Sequence, residues 1–363
     1  MGEMTHQAKI DRRGAAAAKV VRVLVVDDSV VARTVISRMV DAIPGFMVAN
    51  AVNNAARAID FLRRERVDII LLDIEMPGTD GLSALPDMLL IGAGARILVV
   101  SSICEEGAAS TIQALSLGAA DTLEKPMAGA LAGRFAATLH EKLTRLVAPA
   151  GDIQQPTLAH ERPGTPVPVG ARPFDIVAIG ASTGGIHALT QLLRELPAGL
   201  QTPILITQHL PDSFMSYFAA QIAVLAARPC DVATERLLIR PGRVIVAPGN
   251  AHMECVQVAG GIGVTLTHER QSSGCMPSVD PMFASVARVY GDRALGIVLS
   301  GMGRDGVRGA EQLAATGANV VAQDERSSVV WGMPGAVVAA GVARTILPPS
   351  EIGRLVARGR ATA

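Results

Sequence analysis

At 363 residues the chain exceeds one ordinary domain, and two are expected. Its 49% hydrophobic content with only 3% aromatics implies aliphatic cores, the kind buried in parallel sheets with helices on both faces. A formal net charge of zero argues against a chain devoted to a nucleic-acid backbone, and no stretch is long and apolar enough to span a bilayer.

The first residues carry a short alanine run with no secretory core, and His6 stands where a myristoylation signal needs Ser or Thr. A disordered tail over 1–19 and a cytoplasmic location are expected, with no membrane insertion. Cys104, Cys230, Cys255 and Cys275 are scattered without a C-x-x-C pair, which reads as reduced thiols and not as a metal or disulfide framework.

Over 20–144, short β-branched runs (VRVLVV, MVANAV, DIILLDI, RILVVSS, DTLEKP) alternate with helically spaced stretches, which predicts a (βα)5 parallel sheet. Asp27 and Asp28 close the first run and Asp73 the third. In such a sheet these ends share one edge, the edge where open α/β folds bind ligands. Crowded carboxylates call for a divalent cation, and an all-oxygen set suits Mg2+. Ser101 and Lys125 close the fourth and fifth runs and bring a hydroxyl and a cation to the same edge. One acidic strand end is ordinarily a solvated loop residue; three carboxylates, a hydroxyl and an ammonium on one edge describe a pocket for acyl-phosphate formation.

Residues 145–173, rich in proline and polar residues and without periodicity, read as a semi-rigid linker. From 174 to 357 strand-like runs resume (DIVAIGA, PILITQH, RVIVAPG, GIGVTLTH, ALGIVLSG, ANVVAQD), several separated by helical patterns. A second α/β domain is predicted, doubly wound and mostly parallel.

The first of these runs strikes the turn GASTGG, which could cradle a phosphate or carry a nucleophilic serine, Ser182. A short-chain dehydrogenase reading needs Tyr-x-x-x-Lys. Tyr217 and Tyr290 lack the lysine, and no lysine follows Lys142, which also excludes a Walker loop and Ser–Lys hydrolysis. A serine nucleophile needs a base and an orienting carboxylate. His187 lies in the helix after the turn, rotated off the Ser182 face, and reads as exposed. His268 follows a hairpin-like strand with no reason to approach. His209 ends the run PILITQ and would meet Ser182 at the sheet edge, with His252 a second candidate. Asp305, in the glycine loop LSGMGRDG, also falls at a strand end. Ser278 with Asp280 reads as a helix start, and WGMPG as a packed turn in which Trp331 could wall the cleft.

VVDDS, LLDIEMPGTDGL, VVSS and EKP resemble a response-regulator receiver domain. The resemblance implies that Asp73 is phosphorylated and that Asp27, Asp28, Asp73 and the main chain of Glu75 hold Mg2+. Ser101 and Lys125 would contact the phosphoryl oxygens, and the Lys125–Pro126 bond is often cis in such domains. AIGASTGG, ITQHLP, VAPGNAHM, PSVDPMFASVA, LSGMGRDG and VWGMPGAV resemble the catalytic domain of the chemotaxis receptor methylesterases, the CheB family. That resemblance implies Ser182 as nucleophile, His209 as general base and acid, Asp305 as the group orienting His209, the Met302 amide as oxyanion donor and Thr183 as a site-lining neighbour. It further implies methyl-accepting chemoreceptors as substrate, a chemotaxis histidine kinase as phosphodonor and no nucleic-acid partner. No cofactor is expected at the hydrolase site. The chain departs from the family pattern at Cys275 and Met276, where polar or basic residues are usual, and at His187.

Overall fold

The computed structural model describes residues 20–78, 80–101, 105–125, 132–147 and 174–359. The expected tail, most of the expected linker and the Lys125–Pro126 bond lie outside the described residues.

The first sheet is built from β1 (Val21–Val26), α1 (Val30–Asp41), β2 (Phe46–Val52), α2 (Ala55–Leu62), β3 (Ile69–Asp73), α3 (Gly81–Ile91), β4 (Arg96–Ser101), α4 (Glu105–Leu117), β5 (Asp121–Glu124) and α5 (Ala132–Val147). Its strand order is β2-β1-β3-β4-β5, all parallel. Side-chain caps start three of its helices: Ser29 accepts from the Ala32 amide, Asn54 from Arg57 and Asp80 from Ser83. Helix α5 runs to Val147, so residues 145–147, expected as the start of the linker, are helical. Leu139, Leu143 and Leu146 form a buried stripe that carries the helix past 144.

The second sheet takes its strands from β6 (Ile176–Ala181), α6 (Gly185–Leu193), β7 (Ile204–Gln208), α7 (Met215–Ala226), β8 (Cys230–Val232) and β9 (Val244–Val246). An antiparallel hairpin, β10 (His252–Val258) with β11 (Gly261–Thr267), stands apart from it. The chain continues with α8 (Val279–Tyr290), β12 (Ala294–Val298), α9 (Val307–Ala315), β13 (Asn319–Gln323), α10 (Met333–Ala339), β14 (Thr345–Leu347) and α11 (Pro349–Arg358). The seven strands are parallel in the order β14-β13-β12-β6-β7-β9-β8. β6 is buried along its whole length, which explains its unbroken apolar run.

In both sheets the strand order reverses beside the first strand, between β1 and β3 and between β6 and β12. Such a reversal opens a crevice at the C-terminal ends of the strands. The two sets of candidate site residues fall at these two crevices. Helix α4 of the first sheet packs against α6 and α7 of the second, and one continuous apolar cluster runs from Ile112 and Leu115 to Ile186 and Met215.

Candidate active site

Ser182 follows β6 directly. Its amide donates to the Ser300 carbonyl at 3.0 Å, which ties the turn to the end of β12. Gly184 then adopts φ +76, a left-handed conformation that L side chains rarely take, and α6 begins at Gly185. His209 follows β7, with its amide on the Ala181 carbonyl at 3.1 Å. The Gln208 amide side chain donates to the Ser182 carbonyl at 3.0 Å and so links the ends of β6 and β7, a contact that no local sequence pattern marks.

The His209 imidazole donates through Nε2 to Asp305 Oδ2 at 2.8 Å. Asp305 is buried and accepts two further bonds, from Ser278 Oγ at 2.6 Å and from the Val279 amide at 2.7 Å. Burial disfavours its charge, but His209, Ser278 and Val279 outweigh this and hold the carboxyl below the usual range. Burial likewise opposes charging of His209. The Asp305 carboxylate and the Cys275 sulfur prevail and push the imidazole up to about 9. Among the described residues Ser182 Oγ makes no hydrogen bond; such catalytic bonds often tighten only when substrate is present.

His252, the second candidate base, is fully buried. It accepts from the Ser278 amide through Nδ1 (2.9 Å) and donates through Nε2 to the Glu269 carbonyl (2.8 Å). Both nitrogens are occupied, so it braces the loop that holds Asp305. His268 is exposed. Ser278 caps α8 as expected, and the same hydroxyl also holds Asp305. Asp280 accepts from the Gly309 amide, and burial raises its carboxyl above the ordinary value. Met302 lines a cleft of about 530 Å3 together with Ser182, His209, Cys275, Arg304 and Arg308. Trp331 packs over Gly335 and donates to the Gln323 carbonyl at 3.1 Å; WGMPG is a packed turn bracing the Gly301 loop.

His187, expected as exposed, is half-buried between the two sheets. It donates through Nδ1 to the Ser116 carbonyl at 3.1 Å and accepts from Gln191 at 2.7 Å. Thr183, expected to line the site, sends its hydroxyl to Asp121 Oδ2 of the first domain at 2.8 Å. The Gly184 amide donates to the Ala120 carbonyl at 2.8 Å. A second cleft, of about 320 Å3, is walled by Asp121 and Lys142 on one side and by Ser182, Thr183 and His209 on the other.

In the first domain Asp27 and Asp73 are buried, Asp28 is exposed, and their carboxylate oxygens lie within 4.8 Å of one another. Lys125 Nζ stands 2.6 Å from Asp73 Oδ2 and 3.1 Å from Asp27 Oδ2, the latter contact lacking hydrogen-bond alignment. Burial, aided by Asp27, raises the Asp73 carboxyl against the pull of Lys125. Burial opposes charge on Lys125, but the two aspartates hold its pKa above the ordinary value. The Glu75 amide donates to Asp73 Oδ1 at 3.1 Å, and Thr111 donates to the buried Ser101 hydroxyl at 2.9 Å. The buried Asp27 Oδ2, ion-paired with Lys125 but without an aligned hydrogen bond, sits in an all-oxygen trio that fits a hard divalent cation.

Fold and site together define a two-domain response regulator whose output domain is a doubly wound α/β fold with a serine and a histidine–carboxylate pair at its strand ends. Comparison with known families agrees: CheB methylesterase matches residues 177–356 and the response regulator receiver domain matches 23–131. The protein-glutamate methylesterase/protein-glutamine glutaminase of Azospirillum brasilense is 38% identical, covering 94% of this chain and 93% of its own length. The second such protein of Caulobacter vibrioides is 41% identical, covering 94% of this chain and 100% of its own. The crystal structure of the Thermotoga maritima CheB methylesterase catalytic domain is 31% identical with a TM-score of 0.49, covering 50% of this chain and 97% of that one. The chain belongs to the protein-glutamate methylesterase/protein-glutamine glutaminase family.

Proposed function

We propose that this chain hydrolyses glutamate methyl esters on methyl-accepting chemoreceptors, releasing methanol, and deamidates receptor glutamines by the same route. The observation that carries the reading is the His209–Asp305 pair beside Ser182 at one strand edge, in a chain similar along nearly its whole length to such enzymes. Ser182 attacks the ester carbonyl while His209, in its neutral form, takes its proton and returns it to the leaving methanol. Water then releases glutamate from the acyl-enzyme. Asp305, held by three donors, fixes the imidazole and stabilises its charged form. The Met302 amide is the candidate oxyanion donor.

In the receiver, Asp73 accepts the phosphoryl group, Asp27, Asp28, Asp73 and the Glu75 main chain are the groups that would hold Mg2+, and Ser101 and Lys125 contact phosphoryl oxygens. Mg2+, when bound, supplies charge neutralisation among the carboxylates and the incoming phosphate. A chemotaxis histidine kinase is the expected donor. The contacts of Thr183, Gly184 and His187 with the receiver support a repressed, docked state that phosphorylation opens. Among the described residues no helix is long and apolar enough to cross a membrane.

Methanol release from methylated receptor membranes is the test, with wild type and Ser182→Ala, each with and without a small phosphodonor. Loss of release in the variant and stimulation of wild type are expected. Release that survives Ser182→Ala removes the nucleophile assignment. No release from wild type in either state favours a receptor-binding adaptor without catalysis.

A further inference from the structure

Two groups of side chains among the described residues have metal-ligand spacing, and their chemistries differ. One is the all-oxygen receiver trio. The other is His209, Cys275 and Asp305, offering nitrogen, sulfur and oxygen, with ligand atoms within 4.8 Å of one another. Imidazole, thiolate and carboxylate together are a donor set for Zn2+, not for Mg2+.

We propose that His209, Cys275 and Asp305 form an inhibitory Zn2+ site that reversibly disables the hydrolase. The geometry needs little change. Tetrahedral Zn2+ with ordinary bond lengths of about 2.0–2.3 Å holds its ligands roughly 3.2–3.8 Å apart. The His209–Asp305 contact, now 2.8 Å, opens slightly as the shared proton leaves. Cys275 closes from its position on the 268–278 loop, beside Gly274 at φ +71, and loses its thiol proton to solvent. Ser278 Oγ and the Val279 amide already fix Asp305, as outer partners of metal-bound carboxylates do. A water takes the fourth position from the cleft that Cys275 lines with Ser182. With Zn2+ on Nε2 the imidazole keeps its remaining proton on Nδ1, so it has no lone pair for the Ser182 proton and hydrolysis stops. The receiver trio, lacking sulfur and nitrogen, is left to its hard cation, and one chain answers two metals in two ways.

The test uses the chelator-treated full-length chain in buffer containing Mg2+. Calorimetric titration with ZnCl2 is expected to show one equivalent per chain, with affinity falling at least ~100-fold in Cys275→Ala, since even outer-partner losses cost ~10–100-fold. Cys230→Ser binds as wild type. Co2+ in place of Zn2+ gives a thiolate-to-cobalt charge-transfer absorption in wild type and none in Cys275→Ala. Methanol release declines along the same Zn2+ isotherm. Binding unchanged in Cys275→Ala, absence of the thiolate band, or saturation by Zn2+ with undiminished hydrolysis each overturns the proposal. The calorimetric and spectroscopic readouts need no substrate, so their outcome is separable from that of the methylesterase reading.

Discussion

His209 carries the sharpest consequence at the scale of single residues. Its pKa rises from 6.5 to about 9 in the folded chain because the attraction of Asp305 and Cys275 outweighs burial. A group with a raised folded pKa contributes stability that is complete below its unfolded value and lost as pH climbs through the folded one. Denaturant unfolding at pH values from below 6.5 to above 9 should therefore show wild type losing on the order of 3 kcal/mol, a decline absent in His209→Gln. Equal pH dependence in both proteins would place the proton elsewhere. At this scale Ser182, His209 and Asp305 stood out as candidates because each lies in the loop after an apolar run, within two residues of a glycine or proline. The parts of Gln208, Ser278 and His252 were not, since a hydroxyl cap or a buried imidazole reveals its through-space partner only when distant loops meet. His187 was misread for the same reason: helical spacing says which way a side chain turns, not that a second domain waits there.

At the scale of elements the site depends on how closely three strand ends approach. The loop after β12 passes behind Ser182 so tightly that a Cβ at Gly301 would lie 2.8 Å from the Ser182 Cβ and 2.4 Å from Met333 Sδ. The methionine can give way, but the serine cannot without shifting its hydroxyl. Gly301→Ala is expected to cost about 1–3 kcal/mol by overpacking and to reduce methanol release about 100-fold, the effect of misplacing a reacting group by roughly an ångström. Unfolding curves and release assays on the purified variant check both; full activity would mean that the loop, not the serine, moves. The fully buried strands β6, β7 and β12 were readable as mainly apolar runs. β8 and β14 escaped sequence reading because each has three residues without a fully buried one, too short for either periodicity to register.

For the whole molecule, the order receiver, linker, hydrolase was written in the motifs and the linker suggested a receiver docked over the Ser182 edge, but the residues that make the contact were not legible. Its bonds join residues 62 and 71 positions apart, beyond any local pattern. Asp121 is central: it accepts from Thr183 and pairs with Lys142 at 2.9 Å. A hydrogen bond to a charged acceptor contributes about 1.5–3 kcal/mol, so Asp121→Ala should shift the docking equilibrium about tenfold or more. Methanol release by the unphosphorylated variant should rise accordingly and the response to a phosphodonor should shrink. Unchanged basal release would show that the Thr183 contact does not restrain the enzyme.

The bond from the Gly184 amide to the Ala120 carbonyl joins main chain to main chain. No side-chain replacement on the receiver can delete it. Side chains around it, Asp121 among them, set how tightly the domains hold, while this minimal handshake between the domains survives their replacement. That handshake is written in backbone shape, and the letter that donates it is a glycine at φ +76, where any side chain would be strained.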